Sequence, residues 1–316
     1  MSAVWLTRPL PQAVLEAFPA GYAVEMRAEN TTLSAEELRR ALTDFDAVIP
    51  TLGDAFSAEV FADVPQPRAR VLANFGVGYN HLDVAAARGA GVTVTNTPGA
   101  VTDATADIAI TLMLMSARRA GEGERMVRAG AWPGWHPTQL LGLHVTGKRV
   151  GIVGMGRIGQ AIAQRCRLGF GMEVRFYNRS AKVVEGATQV DSLEGLARQV
   201  DVLVVAVPGG AETRHLVDAK VLAAMQRHAH LINISRGDVV DEAALIAALD
   251  ARQIGGAGLD VYEHEPQVPD ALRAFENAVL LPHLGTAAEE VRIAMGRMAV
   301  DNVVAVLEGR APSNPV

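Results

Sequence analysis

The run Val150-Gly151-Ile152-Val153-Gly154-Met155-Gly156-Arg157-Ile158-Gly159 decides how the 316-residue chain is to be read. Its first four residues suit a buried strand, its glycines suit a turn, and Gln160 to Leu168 continues as a helical run. Glycines at this spacing, with a strand before them and a helix after, imply a dinucleotide site. Gly154 allows the tight turn, Gly156 lets a pyrophosphate approach the backbone, and Gly159 lets the helix pack on the strand. The helix start adds amides and a partial positive charge, with Met155, Arg157 and Ile158 completing the turn.

The next strand ends in Phe176-Tyr177-Asn178-Arg179-Ser180. About twenty residues past the motif, an NAD-binding chain usually places a carboxylate on the ribose 2′-hydroxyl. No carboxylate stands there, whereas Arg179 can pair bidentately with a 2′-phosphate and Ser180 can donate a hydrogen bond. This predicts NADP(H), with NAD(H) as the weaker alternative. The competing reading makes Arg179 a solvated surface residue.

Outward from this point, valine- and isoleucine-rich runs alternate with helical patterns, which is how βα units around buried parallel sheets read. The first third predicts strands at Ala3–Thr7, Tyr22–Met26, Ala47–Ile49, Val71–Ala73 and Val92–Thr95, with a helix Ser34–Leu42 opened by the capping box Ser34 and Glu37. Thr102 to Ala120 reads as a boundary helix leaving this first sheet. A second set of strands is predicted at Arg149–Val153, Val174–Tyr177, Val202–Val207, Leu231–Ile234, Ala257–Leu259 and Val279–Leu281. A last helix, roughly Ala288 to Leu307, comes too late for either sheet order and reads as a return to the first domain. The class is therefore α/β with two doubly wound, Rossmann-like domains, as the length also favours, since single cores stop growing at roughly 250–300 residues.

Composition excludes more than it identifies. The chain has 35 acidic and 29 basic side chains, a formal net charge of -6 and no long basic run, which argues against a nucleic-acid partner. Met1 to Leu10 lacks a secretion signal's basic start and apolar core, and the apolar stretch Ile108–Met115 is too short to span a membrane, so a cytoplasmic protein is expected. The single cysteine, Cys166, rules out an internal disulfide and a multi-cysteine metal site; it reads as buried packing, and no metal is expected.

Reduction of a ketone needs a proton donor, and a 2-keto acid also needs a cation for its carboxylate. Candidates lie past successive strands of the second domain: Arg236 in Asn233-Ile234-Ser235-Arg236-Gly237, Glu265 in Asp260-Val261-Tyr262-Glu263-His264-Glu265-Pro266, and His283 in Leu281-Pro282-His283. Loops at carboxyl ends of strands in open α/β sheets line the ligand crevice. A carboxylate beside a histidine orients the ring and raises its pKa, and Glu265 suits His283 in that role. Singly, each residue has a structural explanation, Arg236 pairing with Asp238 among them; their joint placement favours chemistry.

These stretches resemble the D-2-hydroxyacid dehydrogenase family over nearly the whole chain. Asn74 to Asp83 with its Gly76-Val77-Gly78 core, Asn96-Thr97-Pro98-Gly99, the glycine motif, Asn233 to Gly237, Leu259-Asp260-Val261 with Glu265-Pro266, and Pro282-His283 follow that family's motifs in its order. The resemblance implies a discontinuous substrate domain, residues 1–98 plus 288–316, with a cofactor domain, residues 99–287, inserted and a cleft between them. It implies that His283 is the general acid, Glu265 its partner, and Arg236 the group that holds the substrate carboxylate, joined by the amides of Val77 and Gly78. It also implies cofactor contacts at Thr105, Val207, Pro208, Thr213, Ile234, Asp260, His283 and Gly285. Gly130 to Pro137 is similar to a loop of the glyoxylate and hydroxypyruvate reductase branch, in which a tryptophan, here Trp135, reaches the partner subunit's active site. A homodimer is implied. Two departures stand out: Gly209-Gly210-Ala211 where leucine-threonine-proline is common, and Thr286-Ala287-Ala288 where serine-alanine-threonine is common. The expected activity is NADPH-dependent reduction of glyoxylate, hydroxypyruvate or a related small 2-keto acid. The alternatives are a 2-ketogluconate-type sugar-acid reductase and a nucleotide-sensing, corepressor-like binding protein.

Overall fold

Short runs of branched residues become strands, and the stretches between them become helices, in a computed structural model that describes residues 1–316. The chain divides into two units, Met1–Val101 with Thr286–Val316, and Thr102–Gly285. The first begins β1 (Ser2–Leu6), α1 (Gln12–Leu15), β2 (Tyr22–Met26), α2 (Ala35–Asp44), β3 (Ala47–Ile49), α3 (Ala58–Asp63), β4 (Val71–Ala73), α4 (Val84–Gly89) and β5 (Thr93–Thr95). The second holds α5 (Thr102–Ala117), α6 (Ala120–Arg128), β6 (Arg149–Val153), α7 (Arg157–Phe170), β7 (Glu173–Tyr177), β8 (Ala187–Gln189), α8 (Leu193–Gln199) and β9 (Val202–Val205). It continues through α9 (Ala219–Ala224), β10 (His230–Asn233), α10 (Glu242–Asp250), β11 (Gly256–Leu259), α11 (Asp270–Ala274) and β12 (Ala278–Leu280), and α12 (Glu289–Leu307) returns to the first unit.

Both sheets are parallel, so the α/β expectation holds. The first has the order β2-β1-β3-β4-β5, the flavodoxin-like winding. Trp5, Val48, Leu72 and Val94 pack from it against Leu38, Leu42 and Phe61. The other side carries α12, which lies so close to α1 that a Cβ on Gly296 would stand 2.2 Å from Val14 Cγ2. The capping box of α2 is complete, Ser34 Oγ accepting from the Glu37 amide and Glu37 accepting from the Ser34 amide.

The second sheet runs β12-β11-β10-β9-β6-β7-β8, the Rossmann order with a seventh strand. Alternation along β6 divides the core into two faces. Val150 and Ile152 pack with Leu112 and Ile162 on one side, and Val153 packs with Leu196 and Leu203 on the other. Cys166 is fully buried in the α7 face, and burial pushes its thiol up to about 12.

Strand β8 and helix α6 were absent from the sequence reading, and the expected helix Thr102–Ala120 stops at Ala117. The Ala117 carbonyl is taken by the Leu143 amide at 2.7 Å, Arg119 turns left-handed at φ 53°, and α6 starts afresh. Strand β9 ends at Val205, two residues before the expected Val207. No helix is long and apolar enough to cross a membrane.

Candidate active site

Five neighbouring strands of the second sheet, in the order β12, β11, β10, β9, β6, end in the loops that hold His283, Glu265, Arg236, Val207-Pro208 and the glycine turn. Strand order reverses between β9 and β6, the switch point at which open α/β sheets bind ligands.

At the turn, the three glycines do different jobs. Gly154 has φ 95°, and a Cβ there would stand 2.8 Å from the Ala206 carbonyl oxygen and 2.7 Å from Val207 Cγ1. A Cβ on Gly159 would fall 2.2 Å from the Gly154 oxygen, whereas one on Gly156 would meet nothing within 4 Å. Gly156 caps α7 without a side-chain hydrogen bond, and the amides of Arg157, Ile158 and Gly159 donate to no group of the chain. An uncapped helix start beneath open space fits a pyrophosphate, so the residues present suit a dinucleotide.

The flanking residues mostly brace this turn. Asn178 Oδ1 accepts from the Met155 amide at 3.3 Å, and its Nδ2 donates to the Ser180 carbonyl and hydroxyl. Lys182, which the sequence reading missed, donates to the Met155 carbonyl at 2.6 Å. Its signal was the basic residue two places beyond Ser180. Arg179 is 85% exposed and pairs with Glu212. Thr213 Oγ1 donates to the Pro208 carbonyl at 2.7 Å, the Ser235 hydroxyl donates to the Val207 carbonyl, and Ile234 is buried beside them.

Arg236, Glu265 and His283 form the charged part of the site. His283 Nδ1 lies 2.8 Å from Glu265 Oε2, and both side chains are 29% exposed, within reach of a ligand. With Nδ1 on Glu265, Nε2 is left to face other partners. Burial pushes the Glu265 carboxyl up, but the hydrogen bond and charge of His283, the Tyr262 amide and the charge of Arg236 outweigh it and hold the group below its ordinary value. Arg236 does not pair with Asp238: its Nη1 donates to the Ser235 carbonyl at 2.8 Å, and its Nε is buried without a hydrogen-bond partner. Burial lowers the guanidinium from its ordinary value, opposed by Glu265 and Asp238. Gly209, one of the departures from the family pattern, makes room for this arginine, since a Cβ there would stand 2.6 Å from Arg236 Cγ.

Asp260 sets the histidine's backbone. His283 adopts φ 56°, a left-handed conformation that costs a residue with a Cβ roughly 1–2 kcal/mol. Its amide donates to the Asp260 carbonyl at 2.9 Å, and the next two amides, of Leu284 and Gly285, donate to the Asp260 carboxylate at 2.6 and 2.8 Å. Burial holds that carboxyl above its ordinary value, with the two amides and His283 opposing. Thr105 Oγ1 closes the turn on the Gly285 carbonyl at 3.0 Å.

Trp135 is 80% exposed and holds no polar partner, whereas Trp132 Nε1 donates to Gln139 at 3.1 Å. Val77 and Gly78 belong to the other unit, in the loop after β4. The same unit holds Arg292, on α12 and also missed in the sequence: its Nε donates to the Thr286 carbonyl at 3.0 Å, its guanidinium lies 5.8 Å from the Phe75 ring centre, and no carboxylate pairs with it.

Residues 110–285 match the model of the D-isomer specific 2-hydroxyacid dehydrogenase NAD-binding domain. A glyoxylate reductase of Thermococcus kodakarensis is 42% identical, over 98% of this chain and 94% of that protein. The chain belongs to the D-isomer specific 2-hydroxyacid dehydrogenases. Within that family it is similar to the glyoxylate reductase of Pyrococcus horikoshii, at 40% identity over 98% of this chain and 94% of the other. A solved protein of Thermus thermophilus superposes with a TM-score of 0.93 at 42% identity, covering 99% of each chain. An NADPH-dependent glyoxylate/hydroxypyruvate reductase from Sinorhizobium meliloti, solved with NADP and malonate, gives a TM-score of 0.87 at 36% identity, covering 100% of this chain and 96% of that one.

Proposed function

We propose that this dehydrogenase reduces small 2-keto acids such as glyoxylate and hydroxypyruvate to 2-hydroxy acids with NADPH. The observation that carries the reading is the His283–Glu265 pair at 2.8 Å, with Arg236 and its buried, unpartnered Nε on the neighbouring strand end. When bound, the reduced nicotinamide supplies a hydride to the carbonyl carbon. His283 delivers the proton to the carbonyl oxygen from Nε2, while Glu265 fixes the ring through Nδ1. Arg236 holds the substrate carboxylate and draws charge toward the carbonyl oxygen, and the amides of Val77 and Gly78 bind the same carboxylate. The pyrophosphate is held at Gly154 to Gly159, with Thr105, Val207, Pro208, Thr213, Ile234, Asp260 and Gly285 around the rest of the cofactor.

The NADP(H) preference is supported by the missing carboxylate at 178–180 and by Arg179, whose exposed pairing with Glu212 exchanges for the 2′-phosphate. Residues 1–98 with 288–316 serve as the substrate domain and 99–287 as the cofactor domain. Exposed Val127, Trp132, Trp135 and Leu141 support a homodimer formed through this segment, with Trp135 extending to the partner. Light scattering tests the dimer. The activity is tested by following NADPH and NADH absorbance with a panel of 2-keto acids. Turnover of glyoxylate or hydroxypyruvate, faster with NADPH, is expected; inactivity on every acid would overturn the reading.

A further inference from the structure

In the loop after β4, every carbonyl from Gly76 to Gly78 is held from behind. Asn74 Nδ2 donates to the Gly76 carbonyl at 3.0 Å and to the Gly78 carbonyl at 3.1 Å. Asn96 Nδ2, past the end of the neighbouring β5, donates to the Val77 carbonyl at 2.9 Å, and the Thr97 amide adds a bond to Gly76 at 3.1 Å. In a planar trans peptide, the carbonyl of one residue and the amide of the next point in opposite directions. Holding these three carbonyls therefore turns the amides of Val77, Gly78 and Tyr79 away from the groups that hold them. None of the three amides donates to any group of the chain.

Successive free amides form a concavity that attracts anions. The bracing behind it is costly. Asn74 is buried, and its Oδ1 lacks a hydrogen-bond partner, as do the buried hydroxyls of Thr95 and Thr97. Each such orphan carries an uncompensated desolvation cost that a plain connection from β4 to α4 does not require. Polar groups kept at that cost mark a place where local stability has been exchanged for function.

We infer that Asn74 and Asn96 are positioning residues that hold the amides of Val77, Gly78 and Tyr79 as a carboxylate-binding cradle, with Tyr79 as a third donor. The inference rests on the 2-keto acid reading for its ligand, the substrate carboxylate. It predicts that the asparagines act on substrate binding and leave hydride transfer and cofactor binding alone.

The test compares wild type with Asn96→Ala, Asn96→Ser and Asn74→Ala, measuring glyoxylate KM and kcat, inhibition by oxalate, the NADPH dissociation constant and the melting temperature. Asn96→Ala should raise KM and the oxalate inhibition constant together by about 10- to 100-fold, the range for one hydrogen bond to a charged group, with kcat and NADPH binding within about 3-fold. Asn96→Ser, which restores a donor, should recover part of the loss. Asn74→Ala should act in the same direction; if it does not fold, the half-buried Asn96 carries the test. Unchanged KM in Asn96→Ala, or a KM rise matched by weaker NADPH binding, overturns the inference. If wild type itself does not turn over glyoxylate, the functional reading fails instead, and oxalate titration of wild type and Asn96→Ala by calorimetry decides the cradle: equal affinity or no binding refutes it.

Discussion

The two ends of the seven-stranded sheet treat histidine in opposite ways. At the carboxyl ends, His283 sits in a left-handed turn, pairs with Glu265 and stays within reach of solvent. At the amino ends, His230 opens β10, is 7% exposed, and has its Nδ1 2.8 Å from the Ser116 hydroxyl, while nearby His228 pairs with the nearly buried Asp201 at 2.7 Å. Burial and the charge of His228 push His230 down to about 4, so its ring is neutral in the folded protein. One histidine is held against a carboxylate within reach of solvent, and the other is desolvated beside a hydroxyl and stays neutral.

The largest expected effect comes from the carboxyl end. His283→Asn, chosen because asparagine tolerates the left-handed backbone, should lower kcat by about 10²- to 10⁴-fold with little change in melting temperature. A loss under 10-fold in steady-state assays would remove His283 from the proton-donor role. Arg236→Ala should cost about 10²- to 10³-fold in kcat/KM, and Arg236→Lys should not restore it, because lysine lacks the bidentate fork. The glycine turn sharpens the distinction between binding and folding. Gly156→Ala should keep the melting temperature of the cofactor-free protein and weaken NADPH binding about 10-fold or more, by titration. Gly159→Ala, whose Cβ would collide with the Gly154 carbonyl, should lower the melting temperature itself. Arg179→Ala should shift the NADPH-to-NADH ratio of kcat/KM about 10-fold toward NADH; an unchanged ratio refutes its assignment to the 2′-phosphate.

The amino end should leave catalysis alone. His230→Gln is expected to change kcat by less than about 2-fold while altering how stability depends on pH. The unfolded chain binds a proton at histidine's ordinary value, near 6.5, and the folded one at about 4. The contribution of His230 is therefore complete above pH 6.5, declines as pH falls toward 4, and amounts to about 3 kcal/mol at most. Denaturant unfolding across that window should lose this part of its slope in the variant.

What could be read from the sequence follows from physical range. Strands such as Tyr22–Met26, Ala47–Ile49, Val71–Ala73 and Arg149–Val153 announce themselves because composition and neighbouring turns act locally. The glycine turn was legible for the same reason. The break at Ala117 was not, since it depends on the Leu143 amide, far along the chain. Strand β8 is Ala187-Thr188-Gln189 at the sheet edge, and with two polar residues of three it shows no apolar run. Lys182 and Arg292 escaped because a basic residue on its own carries no sign of whether it meets a carbonyl, a ring or water. The asparagine bracing is likewise invisible until β4 and β5 are side by side.

The solitary Cys166 has a use beyond packing. Sealed in the α7 face, with its thiol held almost wholly protonated at neutral pH, it is silent toward maleimides and other thiol reagents. A cysteine placed at fully exposed Val183 would therefore be the single reactive handle on the native protein, a ready attachment point for a dye or spin label with no background to engineer away.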